Sequence, residues 1–228
     1  MANVTKRITE TSVALAVLYA ARKYYRDWGT TKAECQMRLP GDALVADPAI
    51  QTTEALYIDA QSAAVWPWLL QMGQDKAGFY GWGGLKNLAG LRHDDDNRVH
   101  PEWQQLAVGD LVRVAPKGWL GEPDGLTLSV AGIVPEKYIV LTSVAGEDSR
   151  WNVVWSFHLQ PHWEDRVRLL SRARIALRHP GEVFAMELAR PIVAFSTRGL
   201  LLGIKHRVEG LPPAQSQPAL NLVDTHRL

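Results

Sequence analysis

The chain has 228 residues, 46% of them hydrophobic and 21% charged, with 25 Lys+Arg against 24 Asp+Glu and a net charge of +1. This is the composition of an ordinary globular protein with a core of its own, and so even a balance supplies no global field for nucleic acid or an anionic membrane. A single cysteine, Cys35, excludes an intrachain disulfide framework and suits a reducing cytoplasm.

The N-terminal segment has an uninterrupted apolar stretch from Val13 to Ala21, far short of the roughly 20 residues of a membrane span. Ile8-Thr9-Glu10-Thr11 interrupts a secretory pattern, and Arg22-Lys23 follows Ala20-Ala21 at once, which argues against export. Residues 8–27 are therefore expected to form one helix, capped near Thr9 or Thr11 and closed before Gly29. Packing on the domain is its simplest role. Its end, rich in Arg, Lys and Tyr, makes it the candidate contact to a membrane surface or a partner.

Residues 30–50 read as a polar connector punctuated by Leu39-Pro40-Gly41-Asp42 and Asp47-Pro48. TTEALYIDA (52–60) reads as a strand with Leu56 and Ile58 on one face and Ala55 and Tyr57 on the other. Ser62 is the expected N-cap of an apolar helix that ends at Gly73, with Pro67 removing one helical hydrogen bond. GFYGWGGLKNLAGL (78–91) is expected to hold a short second helix; its glycines lack the order and context of a nucleotide fingerprint.

Strands then dominate. GDLVRVAP (109–116), LTLSVAGIV (126–134) and KYIVLTSV (137–144) are β-rich, the last two forming a hairpin around Pro135-Glu136. WNVVWSFHLQ (151–160) puts Trp151, Val153, Trp155, Phe157 and Leu159 on one face, and His158 on the other with Asn152 and Ser156. In RVRLLSRARIAL, Val167, Leu169, Ser171, Ala173 and Ile175 face one way while Arg166, Arg168, Arg172 and Arg174 face the other. One face is read as core or pocket and the other as solvent, so the arginines and His158 are expected outside. From Gly181 to about Val208 the period becomes helical, with Pro191 expected to kink or divide the helix. The last residues, LPPAQSQPALNLVDTHRL, read as a flexible tail.

The element order is strand, helix, helix, a run of antiparallel strands and a long C-terminal helix. It carries stretches such as LPGDALVADP, YIDAQSAAVWPWLLQMGQDKAGFY, NLAGL, NRVHPEWQQLAVGDLVRVAP and LLGIKHRVEG. In these the chain resembles a bacterial branch of the SRPBCC group, which includes START domains, the major birch-pollen allergen and polyketide cyclases/dehydrases. The resemblance runs over residues 25–210. It implies an α+β helix-grip fold, in which a curved antiparallel sheet wraps a long C-terminal helix around a deep apolar cavity. It departs from the group at Gly81-Trp82-Gly83-Gly84-Leu85-Lys86, where such proteins often carry a tyrosine- and acid-bearing stretch. The expected organisation is an N-terminal helix and connector at 1–50, the helix-grip domain at 51–210 and a tail at 211–228.

The function expected is binding of a hydrophobic small molecule (lipid, aromatic or polyketide-like), walled by Trp66, Phe79, Trp82, Trp103, Trp151, Trp155 and Phe184. The alternative is a cyclase/dehydratase-type enzyme using the same cavity, for which Tyr80, His93, Arg113 and Glu187 are the polar candidates. A third reading is a membrane-associated accessory protein acting through residues 8–27. No cofactor, metal or nucleic acid is expected. In HDDDNRVH three adjacent carboxylates cannot all point inward, so the segment reads as a solvated loop. His93 is singled out because the resemblance places a histidine near it.

Overall fold

The computed structural model describes residues 12–13, 26–80, 98–118, 125–143, 151–177 and 180–210. The expectations for 81–97, including most of the second helix and the acidic loop, lie outside these residues, as does the tail. Of the helix expected at 8–27, Ser12 and Val13 are described and helical, whereas Arg26 and Asp27 at its expected end lie in a bend, with Asp27 at φ 52.

The elements are α1 (Lys32–Gln36), β1 (Ile50–Ile58), α2 (Ser62–Leu70), β2 (Leu111–Ala115), β3 (Leu126–Val134), β4 (Tyr138–Ser143), β5 (Trp151–Pro161), β6 (Val167–Leu177) and α3 (Pro180–Gly210). Short 3₁₀ turns lie at Asp42–Val45 and Pro101–Trp103. Every strand pairing is antiparallel, in the order β1-β6-β5-β4-β3-β2. β1 and β2 therefore form opposite edges, and α2 lies on the connection between them. Register shifts at Arg113/Ala115 and Val130/Gly132 bend the strands that carry them. The β3–β4 turn falls at the expected place, with Glu136 at φ 58 and Lys137 N donating to Val134 O.

Two local expectations shift. The cap of α2 is Gln61 rather than Ser62, and its side chain makes no capping bond. α3 runs through Pro191 as one helix of 31 residues, so the proline does not divide it.

α3 lies on one face of the sheet, against β1, β6 and α2. Leu200, Leu201, Ile204 and Val208 join Leu56, Ile58, Phe157, Leu169 and the α2 residues Val65, Trp68 and Leu69 in one core. At Gly203 the helix reaches the backbone of Tyr80 so closely that an added Cβ would overlap its carbonyl. Tyr80 is in turn fixed by its hydroxyl, which donates to Trp68 O at 3.1 Å, and by an edge-on contact with the Trp68 ring.

The other face is not in solvent. Alternation along β6 does send Arg168, Arg172 and Arg174 away from the core, but the connector lies over them. Arg172 is 1% exposed. Its guanidinium donates to Thr53 Oγ1 at 3.1 Å, Met37 O at 2.7 Å, Asp42 Oδ2 at 2.8 Å and Glu34 O. Arg168 donates to Glu34 Oε1 and to Gly29 O, and Arg174 to Val45 O and Ala46 O. The expectation of a solvated basic stripe fails for a physical reason. A guanidinium has five donors, and the connector's turns leave carbonyls that the sheet cannot satisfy. Arg166 alone keeps the expected exposure, paired with Asp59 at 2.6 Å.

The connector is thus a structural layer. Thr31 and Glu34 cap α1 reciprocally, and Val45 packs with Val140 and Val154 as a second small core. His158 shares this face, as expected, yet is buried, with Nε2 at 2.9 Å from Ser156 Oγ. Burial, reinforced by the Arg172 charge, pushes its pKa down to about 4.

Two outcomes are expected from this packing. Ala at an exposed helix position gains about 1 kcal/mol over Gly, but Gly203→Ala should destabilise the protein by about 3 kcal/mol in urea unfolding, because the overlap falls on backbone. The unfolded chain protonates His158 near its ordinary 6.5 and the folded chain only near 4. Stability should therefore fall as pH drops from about 6.5 to about 4 and level off below. The difference between wild type and His158→Gln across that window isolates this contribution; equal slopes would refute it.

Candidate functional site

The inner row of β1 reads Ile50, Thr52, Glu54, Leu56 and Ile58, paired across to Ile175, Ala173, Ser171, Leu169 and Val167 of β6. On β5 the row continues with Trp155 opposite Ala173 and Phe157 opposite Ser171. Trp155 Nε1 donates to Ser171 Oγ at 2.9 Å, satisfying the indole. Its ring lies 4.8 Å from Phe157 and 5.9 Å from Phe79, centroid to centroid. Trp155 is nonetheless only partly buried, unlike Phe157 and Phe79.

At one end of this row a crevice of about 30 Å³ opens between the sheet and α3. Its floor is Ile50, Thr52, Ala173 and Ile175, and α3 contributes Met186, Arg190 and Val193. Glu54 lines it with 3% exposure, and its Oε2 has no hydrogen-bond partner. Burial pushes the Glu54 pKa up to about 8; the Arg198 charge opposes the rise and Asp27 adds to it. A carboxyl so placed is neutral at pH 7 and costs stability unless something uses it. Glu54 stands two residues before Leu56 and four before Ile58, so the alternation that identifies the core face also identifies this acid.

Trp66 and Phe79 are buried in the core, and Trp103 is partly buried, its ring 4.2 Å from that of His100. Phe79 and Trp155 are brought together; Trp82 and the side chains of Trp151 and Phe184 lie outside the described residues. Among the polar candidates, Tyr80 is buried with its hydroxyl engaged by Trp68 O. Arg113 points away from the inner face marked by Val112 and Val114, 3.4 Å from Asp75. His93 and the Glu187 side chain lie outside the described residues. Among those described, no three His, Cys, Asp or Glu side chains gather as metal ligands. No described helix is long and apolar enough to cross a membrane.

The titration of Glu54 has a stability consequence of definite sign. Between about 4.5 and about 8 the folded chain holds a proton that the unfolded chain releases. Stability should therefore decline as pH rises through that window and then stay level. Glu54→Gln should abolish the decline and be more stable than wild type at pH 8.5 by roughly 1–3 kcal/mol, with near-equal stability at pH 4.5. Urea titrations at a series of pH values measure both slopes, and parallel curves would show that Glu54 ionises normally.

No family model matches the chain, and no curated protein matches it. Among solved structures, a protein from Mesorhizobium loti aligns at 14% identity over 72% of this chain and 99% of its own, with a TM-score of 0.41. Norcoclaurine synthase from Thalictrum flavum aligns at 16% identity over 77% of this chain and 95% of its own, TM-score 0.41. The di-domain ARO/CYC protein BexL of the BE-7585A biosynthetic pathway aligns at 13% identity over 70% of this chain and 46% of its own, TM-score 0.42. Likenesses this distant say nothing of activity. The strand order, the edge positions of β1 and β2 and the seat of α3 on the inner face define the architecture, and by them the chain has a helix-grip fold.

Proposed function

We propose that the chain binds an apolar small molecule on the inner face of the sheet, along the row Thr52–Ala173–Trp155, with one end at Glu54. The observation that carries this reading is the unpartnered, buried carboxyl at the rim of an apolar crevice. Residues selected for packing alone would replace it, since an apolar side chain of similar volume removes the cost. Trp155 supports the same reading: its nitrogen is satisfied by Ser171, and its incompletely covered ring offers a flat apolar wall.

The crevice holds about 30 Å³, room for one or two waters, against roughly 300–1,000 Å³ for a typical ligand pocket. Binding therefore requires the site to open. Met186 is the side chain placed to do this, because an unbranched thioether has several rotamers of similar energy.

A second reading, an enzyme of the cyclase/dehydratase type, is favoured by one feature. Glu54 stands near its pKa at neutral pH, where a carboxyl can both give and take a proton. It uses the same site, so ligand binding is the first question for both.

The test is titration with N-phenyl-1-naphthylamine, a neutral apolar fluorophore. Saturable binding at one site per chain is expected. Trp155→Ala should weaken it about tenfold, the equivalent of about 1.4 kcal/mol of lost ring contact. Failure of the wild type to bind this probe or other neutral aromatic probes up to their solubility would reject the reading.

A further inference from the structure

The β5–β6 hairpin turns over between His162 and Arg166, where His162 N donates to Arg166 O at 2.8 Å. Trp163 stands at its tip at φ 63, and 79% of it is exposed. Left-handed backbone is an outlier for a bulky residue, and a glycine or asparagine supplies the same turn with less strain. Exposure adds a second cost, because a ring of this size gains most when it is covered. The hairpin uses neither feature: its strands stay in register out to Pro161 and Val167 without the ring.

Trp163 continues a row of rings. It lies 4.7 Å from His162, and His162 lies 5.0 Å from Tyr57, itself an exposed residue of β1. Arg166 and Arg168 stack on Tyr57 at 4.9 and 4.4 Å, and each is held in place by an acid, Asp59 and Glu34. The end of α3 meets this shelf. Lys205 Nζ donates to Tyr57 O at 2.7 Å, and Glu209 Oε1 accepts from Asp59 N at 2.8 Å. Gly210, where α3 ends, therefore follows a residue bonded directly to the strand end that carries Tyr57. From there the chain continues as Leu211-Pro212-Pro213-Ala214-Gln215-Ser216-Gln217-Pro218.

We propose that this segment of the chain docks on Tyr57, His162 and Trp163 in the polyproline II conformation. Aromatic shelves suit proline-rich segments, because the rigid pyrrolidine ring packs on them and the preformed conformation has little entropy to lose. Length and spacing fit. At about 3.1 Å per residue the eight residues reach roughly 25 Å, enough to cross all three rings. At three residues per turn Pro212, Gln215 and Pro218 fall on one face. The covalent tether holds the segment at an effective concentration on the order of mM, so a modest contact is enough. Charge disfavours the competing occupant, a membrane surface. The segment is uncharged, whereas Glu164 and Asp165 beside Trp163 are repelled by anionic lipid.

The experiment uses the full chain with 5-fluorotryptophan in place of tryptophan and reads the Trp163 fluorine resonance, assigned by its loss in Trp163→Phe. A nitroxide is attached at Ser216→Cys in a chain that also carries Cys35→Ser. The Trp163 signal should lose most of its intensity relative to the reduced, diamagnetic label. Replacing Pro212, Pro213 and Pro218 together by glycine keeps the tether and removes the preformed conformation, and should restore most of that intensity. A free peptide of residues 211–220 added to the unlabelled triple-glycine chain should shift the Trp163 signal saturably. These substitutions lie beyond the last described helix, so they leave the fold intact. Equal broadening with and without the prolines, or none in either, overturns the proposal. So does broadening that arises only between a labelled chain and a separate fluorinated one, which assigns the segment to a second copy. A Trp163 signal indifferent to the prolines but shifted by vesicles of phosphatidylcholine overturns it in favour of a membrane contact.

Discussion

The guanidinium of Arg172 is the contact on which the arrangement of the sheet depends. It stands on the strand next to the edge, and it reaches three separated points of the connector as well as the neighbouring strand at Thr53. A buried cation with one partner would be a liability; with four it becomes a tie whose removal strands every group it satisfies. Arg168 and Arg174 repeat the pattern further along β6, where the pleat returns the chain to the same face. Through these ties a segment with almost no apolar burial of its own is held as a third layer, and β1 gains cover on a face that an edge strand would otherwise expose.

The same two strands present opposite electrostatic situations on their two faces. Thr53 and Arg172 look outward into a network in which the guanidinium is engaged along both arms. Glu54 and Ser171, each one residue away, look inward, where the serine is used by Trp155 and the carboxyl is left without a partner at Oε2. A chain that satisfies buried charge so thoroughly on one side has the means to do so on the other. The contrast places an unpartnered buried oxygen at Glu54 beside the crevice, and that is what a ligand would use.

Much of this is legible in sequence, and the remainder fails for identifiable reasons. Alternation places Val167, Leu169 and Ser171 opposite Arg168 and Arg172, and Trp155 and Phe157 opposite His158, because a side-chain period of two follows from the backbone alone. Alternation does not say what covers a face. The connector reads as a spacer from its prolines and glycines, yet its Thr31-x-x-Glu34 capping box marks an ordered helix, and its many turn carbonyls match the arginine donors. His158 falls on the correct face and in the wrong medium for the same reason. Glu54 is legible in principle, since it shares the face of Leu56 and Ile58, but an acid in an apolar row reads as noise until its burial is known. Gly203 gives no sequence signal, because only the approach of Tyr80 makes a glycine necessary there.

The two faces are also linked energetically. Glu54 and Thr53 are adjacent, and Thr53 is fixed by Arg172 on its side chain and by Asp27 Oδ1 on its backbone N–H. Asp27 also acts on Glu54 directly, raising its pKa together with burial. The outer network holds the strand that carries Glu54, and burial on the inner face raises the pKa of its carboxyl. The ties on the outer face thus hold an unfavourable group in place on the inner one, and a site that is costly when empty is one in which a complementary ligand recovers the cost on binding.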